Sequence, residues 1–112
     1  MDSHSGKLLR AKERLRVKFK RLAAEYMERL EQYVPVVERV HGPTHPEFYG
    51  VRRVFDQLSS KLKAAGAEQA ELSQEFQQLR EITSNYRIPE DVCETYQAVY
   101  EMLAELDGAY SE

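Results

Sequence analysis

Apolar residues along the first third of the chain fall at Leu8, Ala11, Leu15, Phe19, Leu22, Tyr26, Leu30, Tyr33 and Val37. Steps of three and four throughout mark one face of a long helix, on which His41 is the next inward position. Pro35 interrupts this run by removing an amide hydrogen and crowding the carbonyl of Glu31, so a kink or break is expected between Gln32 and Pro35. Gly42-Pro43 ends the helix. Thr44 then stands as a cap, Pro46 as a first-turn proline and Glu47 as the far end of a capping box, which starts a second helix. Its stripe is Phe48, Val51, Phe55, Leu58, Leu62 and Ala65, and Gly66 favours a chain reversal over one continuous helix. A third helix is expected from Glu68 to Asn85, burying Leu72, Phe76, Leu79, Ile82 and Tyr86. Pro89-Glu90-Asp91 opens a fourth, with Val92, Tyr96, Val99, Leu103 and Leu106 inward and Gly108 as its stop. Helices two to four, at about 20 residues or ~30 Å each, predict an all-α, antiparallel four-helix bundle.

The first helix, at about 35 residues or ~50 Å, is too long for its partners. Its N-terminal part is also basic. Residues 1–21 hold eight Lys and Arg against Asp2 and Glu13, a local net charge of +6 within a chain of net charge −3. The expected organisation is a disordered N-terminus over 1–6, where His4 lies, and one bundle domain over 7–110 whose residues 7–21 form a basic arm. An apolar stripe on such an arm predicts a homodimer through Leu8, Leu15 and Phe19, with Lys12 and Arg16 flanking. The alternative is an arm that bends back at Pro35 and packs within its own chain. Phe19 is the arm's only aromatic, which argues against a platform for single-stranded nucleic acid.

At 112 residues there is room for one modest core. The chain shows no membrane-length apolar run and no signal-peptide core, and its single Cys93 suits a reducing compartment, so a cytoplasmic protein is expected. With no basic neighbour in sequence, Cys93 reads as a half-buried packing residue rather than a nucleophile. Tyr26, Tyr33, Tyr86 and Tyr96 sit on inward stripes as core residues, while Glu68, Glu71 and Glu75 read as a solvated helix face. There is no phosphate loop, paired cysteine, nucleophile elbow or H-E-x-x-H motif, so no enzyme is expected.

Two segments carry a family resemblance. They are Y-V-P-V-V-E-R-V-H-G-P-T-H-P-E-F over residues 33–48 and L-R-E-I-T-S-N-Y-R-I-P-E-D-V-C-E-T-Y-Q-A-V-Y-E-M-L-A-E-L-D over residues 79–107. Together they resemble the hemerythrin-like domain of the iron–sulfur cluster repair di-iron proteins. The resemblance implies a four-helix bundle, two irons held between helices by histidines and glutamates, and a role in nitrosative and oxidative stress. Residue by residue, His41 matches a family ligand. The other positions fall on Lys20, near Ala65, on Gln69 beside Glu68, and beyond Glu112. What the resemblance implies here is a bundle with a degenerate metal site, no cofactor, and an interaction or accessory role.

The alternative is an iron-binding protein with a reduced or inter-subunit site. It would use His41, joined by His45 and Glu47 or by the same residues of a second copy. Against it stands the simpler possibility that His41 is a half-buried histidine donating to a carbonyl at the helix end, and His45 a cap-region residue.

Overall fold

The computed structural model describes the backbone of residues 3–111 and the side chains of residues 16–111. It contains four helices: α1 (Ser3–His41), α2 (Glu47–Ala65), α3 (Ser73–Thr83) and α4 (Glu94–Ser111). No strand occurs among the described residues, and no described helix is long and apolar enough to cross a membrane. α1 packs against α4 and α2, and α2 against α3. Tyr26 of α1 donates to Glu105 of α4, Glu38 of α1 meets Arg52 of α2, Lys61 of α2 meets Glu75 of α3, and Arg80 of α3 meets Asp107 of α4.

α1 runs as one helix with Pro35 inside it, so of the expected kink or break the break does not occur. A proline in a helix interior costs about 3 kcal/mol. Val34 and Val37 flank it and, with Leu30, are fully buried, each side chain worth ~1.5–3 kcal/mol on burial. Packing therefore holds the helix through the defect. At 39 residues α1 is about 58 Å long against ~27 Å for the 18-residue α4, so much of it has no α4 surface opposite.

Gly66 ends α2 as anticipated, with φ of 82°, a region glycine enters without steric cost. Its N–H donates to the Leu62 carbonyl. The third helix then begins at Ser73 rather than Glu68. Between them Gln69 and Ala70 donate back to the Gly66 carbonyl, and Arg16 of α1 caps the carbonyls of Ala67 and Ala70 at 3.1 Å each. The Leu72 amide is taken by the Tyr110 hydroxyl. Backbone groups that a longer α3 would have used are thus satisfied from α1 and α4, while Ala70 and Leu72 are buried.

Three further boundaries differ from expectation. Thr44 donates to the His41 carbonyl at the end of α1 and makes no cap on α2, where the Phe48 amide bonds the His45 carbonyl. α4 starts at Glu94, not Pro89, because residues 87–93 run as an open link across the end of the bundle. It passes through Gly108 to Ser111, since Ala109 is buried and the Tyr110 ring packs on Phe19 and Phe76. Those contacts outweigh the ~1 kcal/mol cost of a helical glycine.

Most of the predicted stripes are inward. Phe19, Leu30, Val37, Phe48, Val51, Phe55, Leu58, Leu72, Phe76, Leu79, Tyr96, Val99, Leu103 and Leu106 are all buried. Leu62, Ile82, Tyr86 and Val92 are only partly buried, and Ala65, at the end of α2, is exposed. Glu75 departs from the solvated face assigned to it. It lies in the first turn of α3, turned toward α2, 4% exposed and ion-paired to Lys61 at 2.8 Å.

Candidate functional site at the His41–His45 end

Chemistry-bearing side chains gather at one end of the molecule, where α1 finishes, α2 begins and the link from α3 enters α4. The corner between α1 and α2 is tight because Gly42 leaves no room for a side chain. A Cβ there would lie 2.5 Å from the Glu38 carbonyl oxygen and 2.7 Å from the Tyr49 ring. The corner places the rings of His41 and His45 with centroids 6.4 Å apart, and both meet Tyr96 edge-on, at 5.3 Å and 5.8 Å. Tyr96 is buried one helical turn from Tyr100, and the two hydroxyls share a 3.0 Å hydrogen bond. Phe48 packs on both tyrosine rings.

Each histidine has its own partner. His41 Nε2 lies 3.2 Å from Cys93 Sγ, and His45 Nε2 lies 3.0 Å from Asp91 Oδ1, with Glu47 Oε2 3.4 Å from its Nδ1. Cys93 is exposed, not half-buried as expected, and its basic neighbour comes from 52 residues away in the chain. No local signal around Cys93 reveals that partner. The two donor pairs do not merge. Among the described residues no group of three or more His, Cys, Asp and Glu side chains is placed to hold one metal ion, whereas a two-iron centre needs carboxylates and imidazoles converging from several helices.

The other positions implied by the resemblance lie elsewhere. Lys20 forms an exposed 2.9 Å ion pair with Glu68, which holds the Glu68 carboxyl below its usual range, and Gln69 is exposed in the turn after α2. Of the expected interaction residues, Leu8, Lys12 and Leu15 lie outside the described side chains, as does His4. Phe19 is fully buried against Phe76 and Tyr110 of its own chain, and the Arg16 guanidinium stands 4.8 Å over the Tyr110 ring.

The link from α3 to α4 shapes this end through an unusual backbone. Ser84, Asn85 and Tyr86 all have positive φ, at 53°, 61° and 63°. Three consecutive side-chain-bearing residues in the left-handed region cost about 1–2 kcal/mol each. The turn is held by Asn85 N–H donating to the Arg80 carbonyl, Tyr86 N–H to Thr83 Oγ1 at 2.7 Å, and Arg87 N–H to the Thr83 carbonyl. The Tyr86 hydroxyl is anchored on buried Asp107 at 2.7 Å. Strained backbone of this kind clusters at ligand clamps and switches. Beside it opens a cleft of about 390 Å³ whose walls include His45, Glu47, Ser84, Arg87, Pro89 and Tyr100.

Burial raises the pKa of Tyr86, Tyr96 and Tyr100, and hydrogen bonds add to it, from Asp107 for Tyr86 and from Tyr96 for Tyr100. In the unfolded chain these phenols titrate near 10. The stability they contribute is therefore fully present below about pH 10 and is lost as pH rises toward the folded values, because only the unfolded chain releases the protons. In an alkaline titration, part of the phenolate absorbance is expected to appear together with loss of helical circular dichroism. Complete phenol ionisation with the helical signal intact would contradict this packing.

Comparison of the chain with family models, with curated proteins and with solved structures finds no match in any of the three.

Proposed function

We propose that this chain is a non-catalytic helical-bundle protein, an interaction or accessory module related to the iron–sulfur cluster repair di-iron proteins and lacking their complete metal site. In this reading the four helices form an antiparallel bundle of the hemerythrin-like kind, with a bend of α1 at Pro35, and the protein acts in the cytoplasm in response to nitrosative or oxidative stress. The observation that carries it is the fate of the ligand positions: Lys20 is committed to an ion pair with Glu68, while His41 and His45 are engaged in separate pairs with Cys93 and Asp91. The alternating order of the inter-helix contacts supports the antiparallel arrangement. Self-association through α1 is supported by its surplus length and by Val17, 59% exposed on its basic segment.

A second reading, iron held at a reduced or inter-subunit site, draws on the 3.2 Å separation of His41 Nε2 and Cys93 Sγ, a nitrogen and a sulfur close enough to share one metal. Metal analysis of anaerobically purified protein, with light scattering on the same sample, separates the two. A dimer without stoichiometric metal is the expected result. About two irons per chain, as a complete di-iron bundle holds, would overturn the proposal. Iron shared between two chains and lost in His41→Ala would replace it with the second reading.

A further inference from the structure

We propose that the cleft between the strained turn and the start of α2 binds a small zwitterion of the amino-acid class. Its carboxylate would lie at Arg87 and the Tyr100 hydroxyl, and its ammonium at Glu47. The cleft, about 390 Å³, falls in the range of small-molecule sites and combines two features. Charges of both signs line it, Arg87 on one side and Glu47 on the other, so a simple anion would meet repulsion as well as attraction. Among the described residues the Arg87 guanidinium has no hydrogen-bond or ion-pair partner.

The second feature is an unspent hydroxyl proton. In the pair formed by Tyr96 and Tyr100 one hydroxyl donates and the other receives, and the receiver's own O–H has no acceptor among the described residues. Either hydroxyl of the pair can donate, and a carboxylate at Tyr100, which is 1% exposed and lines the cleft, would set the order Tyr96 to Tyr100 and turn the Tyr100 O–H to the ligand. A carboxylate oxygen there completes a chain from Tyr96 through Tyr100 to the ligand. Such hydrogen bonds to a charged acceptor are the strong ones. Ile82 and Pro89 supply apolar walls, which select an aliphatic side chain over a polar one. The left-handed run Ser84–Tyr86 fixes the direction from which Arg87 enters, so its strain is matched to a site rather than to packing alone.

The test is a nuclear magnetic resonance titration of the full chain with L-leucine. Parallel titrations use 4-methylpentanoate, which lacks the amine, isoamylamine, which lacks the carboxylate, and inorganic phosphate. Saturable shifts in the amides of Ser84–Arg87 are expected with leucine, and binding at least about tenfold weaker with either half-molecule. Arg87→Gln and Tyr100→Phe should each weaken leucine about tenfold by the same arithmetic, and Glu47→Gln should abolish the preference for leucine over 4-methylpentanoate. Arg87 is exposed, so its variant leaves the fold unchanged and keeps the test decisive if Tyr100→Phe unfolds. Phosphate binding as tightly as leucine, no saturable shift with any probe, or an Arg87→Gln variant that binds leucine unchanged would each overturn the proposal.

Discussion

Asp107→Ala is expected to lower the unfolding free energy by about 3 kcal/mol, the lower end of what breaking a buried ion pair costs. Asp107 is 5% exposed, and its two carboxylate oxygens accept four hydrogen bonds. Arg80 Nη1 reaches both, at 2.7 and 2.9 Å, the Tyr86 hydroxyl adds one at 2.7 Å and Ser111 Oγ one at 3.2 Å. Alanine removes every acceptor at once. The Arg80 side chain is 40% exposed and can turn to water, which keeps the loss from the upper end of the range. The Tyr86 hydroxyl is less able to do so, and it is the anchor that holds the left-handed turn down on α4. Thermal unfolding followed by circular dichroism should show a drop of more than ~10 °C for a domain of this size. Tyr86→Phe, which removes one bond and leaves the ion pair, should cost only about 1 kcal/mol. Equal effects of the two variants, or a change below ~1 kcal/mol for Asp107→Ala, would show that solvent screens the pair and that the α3–α4 contact rests on apolar packing alone.

This network also shows where sequence reasoning stops. Four helices were legible because Leu, Phe, Val and Tyr recur at helical spacing and because Gly42 and Gly66 mark two corners. The ends of α3 and α4 were not, since they depend on partners distant in sequence. Arg16 and Tyr110 satisfy the backbone of residues 67–72 and so delay α3, while Phe19 and Phe76 hold Tyr110 and so carry α4 past Gly108. Asp107 reads in sequence as a helix-terminal acid, and only the fold brings Arg80 and Tyr86 to it.

The candidate site divides in the same way. His41 and His45 stand out as two of three histidines flanking a helix break, and the break does bring both to one end of the bundle. Their partners Cys93 and Asp91 lie 52 and 46 residues away in sequence, in a link whose left-handed residues carry no glycine to announce them. Arg87 and Tyr100 gave no sequence signal as ligand-facing groups. One lies in a loop and the other on α4 beside the predicted inward stripe, and the cleft between them exists only once α2 and α3 are packed.

Phe19→Ala is expected to be the most damaging single truncation in the basic segment, at about 3–5 kcal/mol. The ring is 0% exposed and meets Phe76 and Tyr110 edge-to-face at centroid distances of 6.2 and 5.3 Å. Such aromatic contacts add ~0.5–1.5 kcal/mol each beyond the area they bury. Phe19 joins α1, α3 and α4 where all three meet, so the cavity would open between helices rather than within one. Urea unfolding at several protein concentrations turns this into a test of how α1 is used. A loss independent of concentration means that the ring closes the core of its own chain. Phe19 is then no part of the proposed self-association surface, for which exposed Val17 is the nearest apolar candidate. A loss that grows as the protein is diluted would place Phe19 in a subunit contact instead, because stability linked to association follows mass action. Phe19→Leu keeps most of the volume and should recover more than half of the lost stability. If it recovered none, the edge-to-face geometry rather than filled space would be what secures this part of α1.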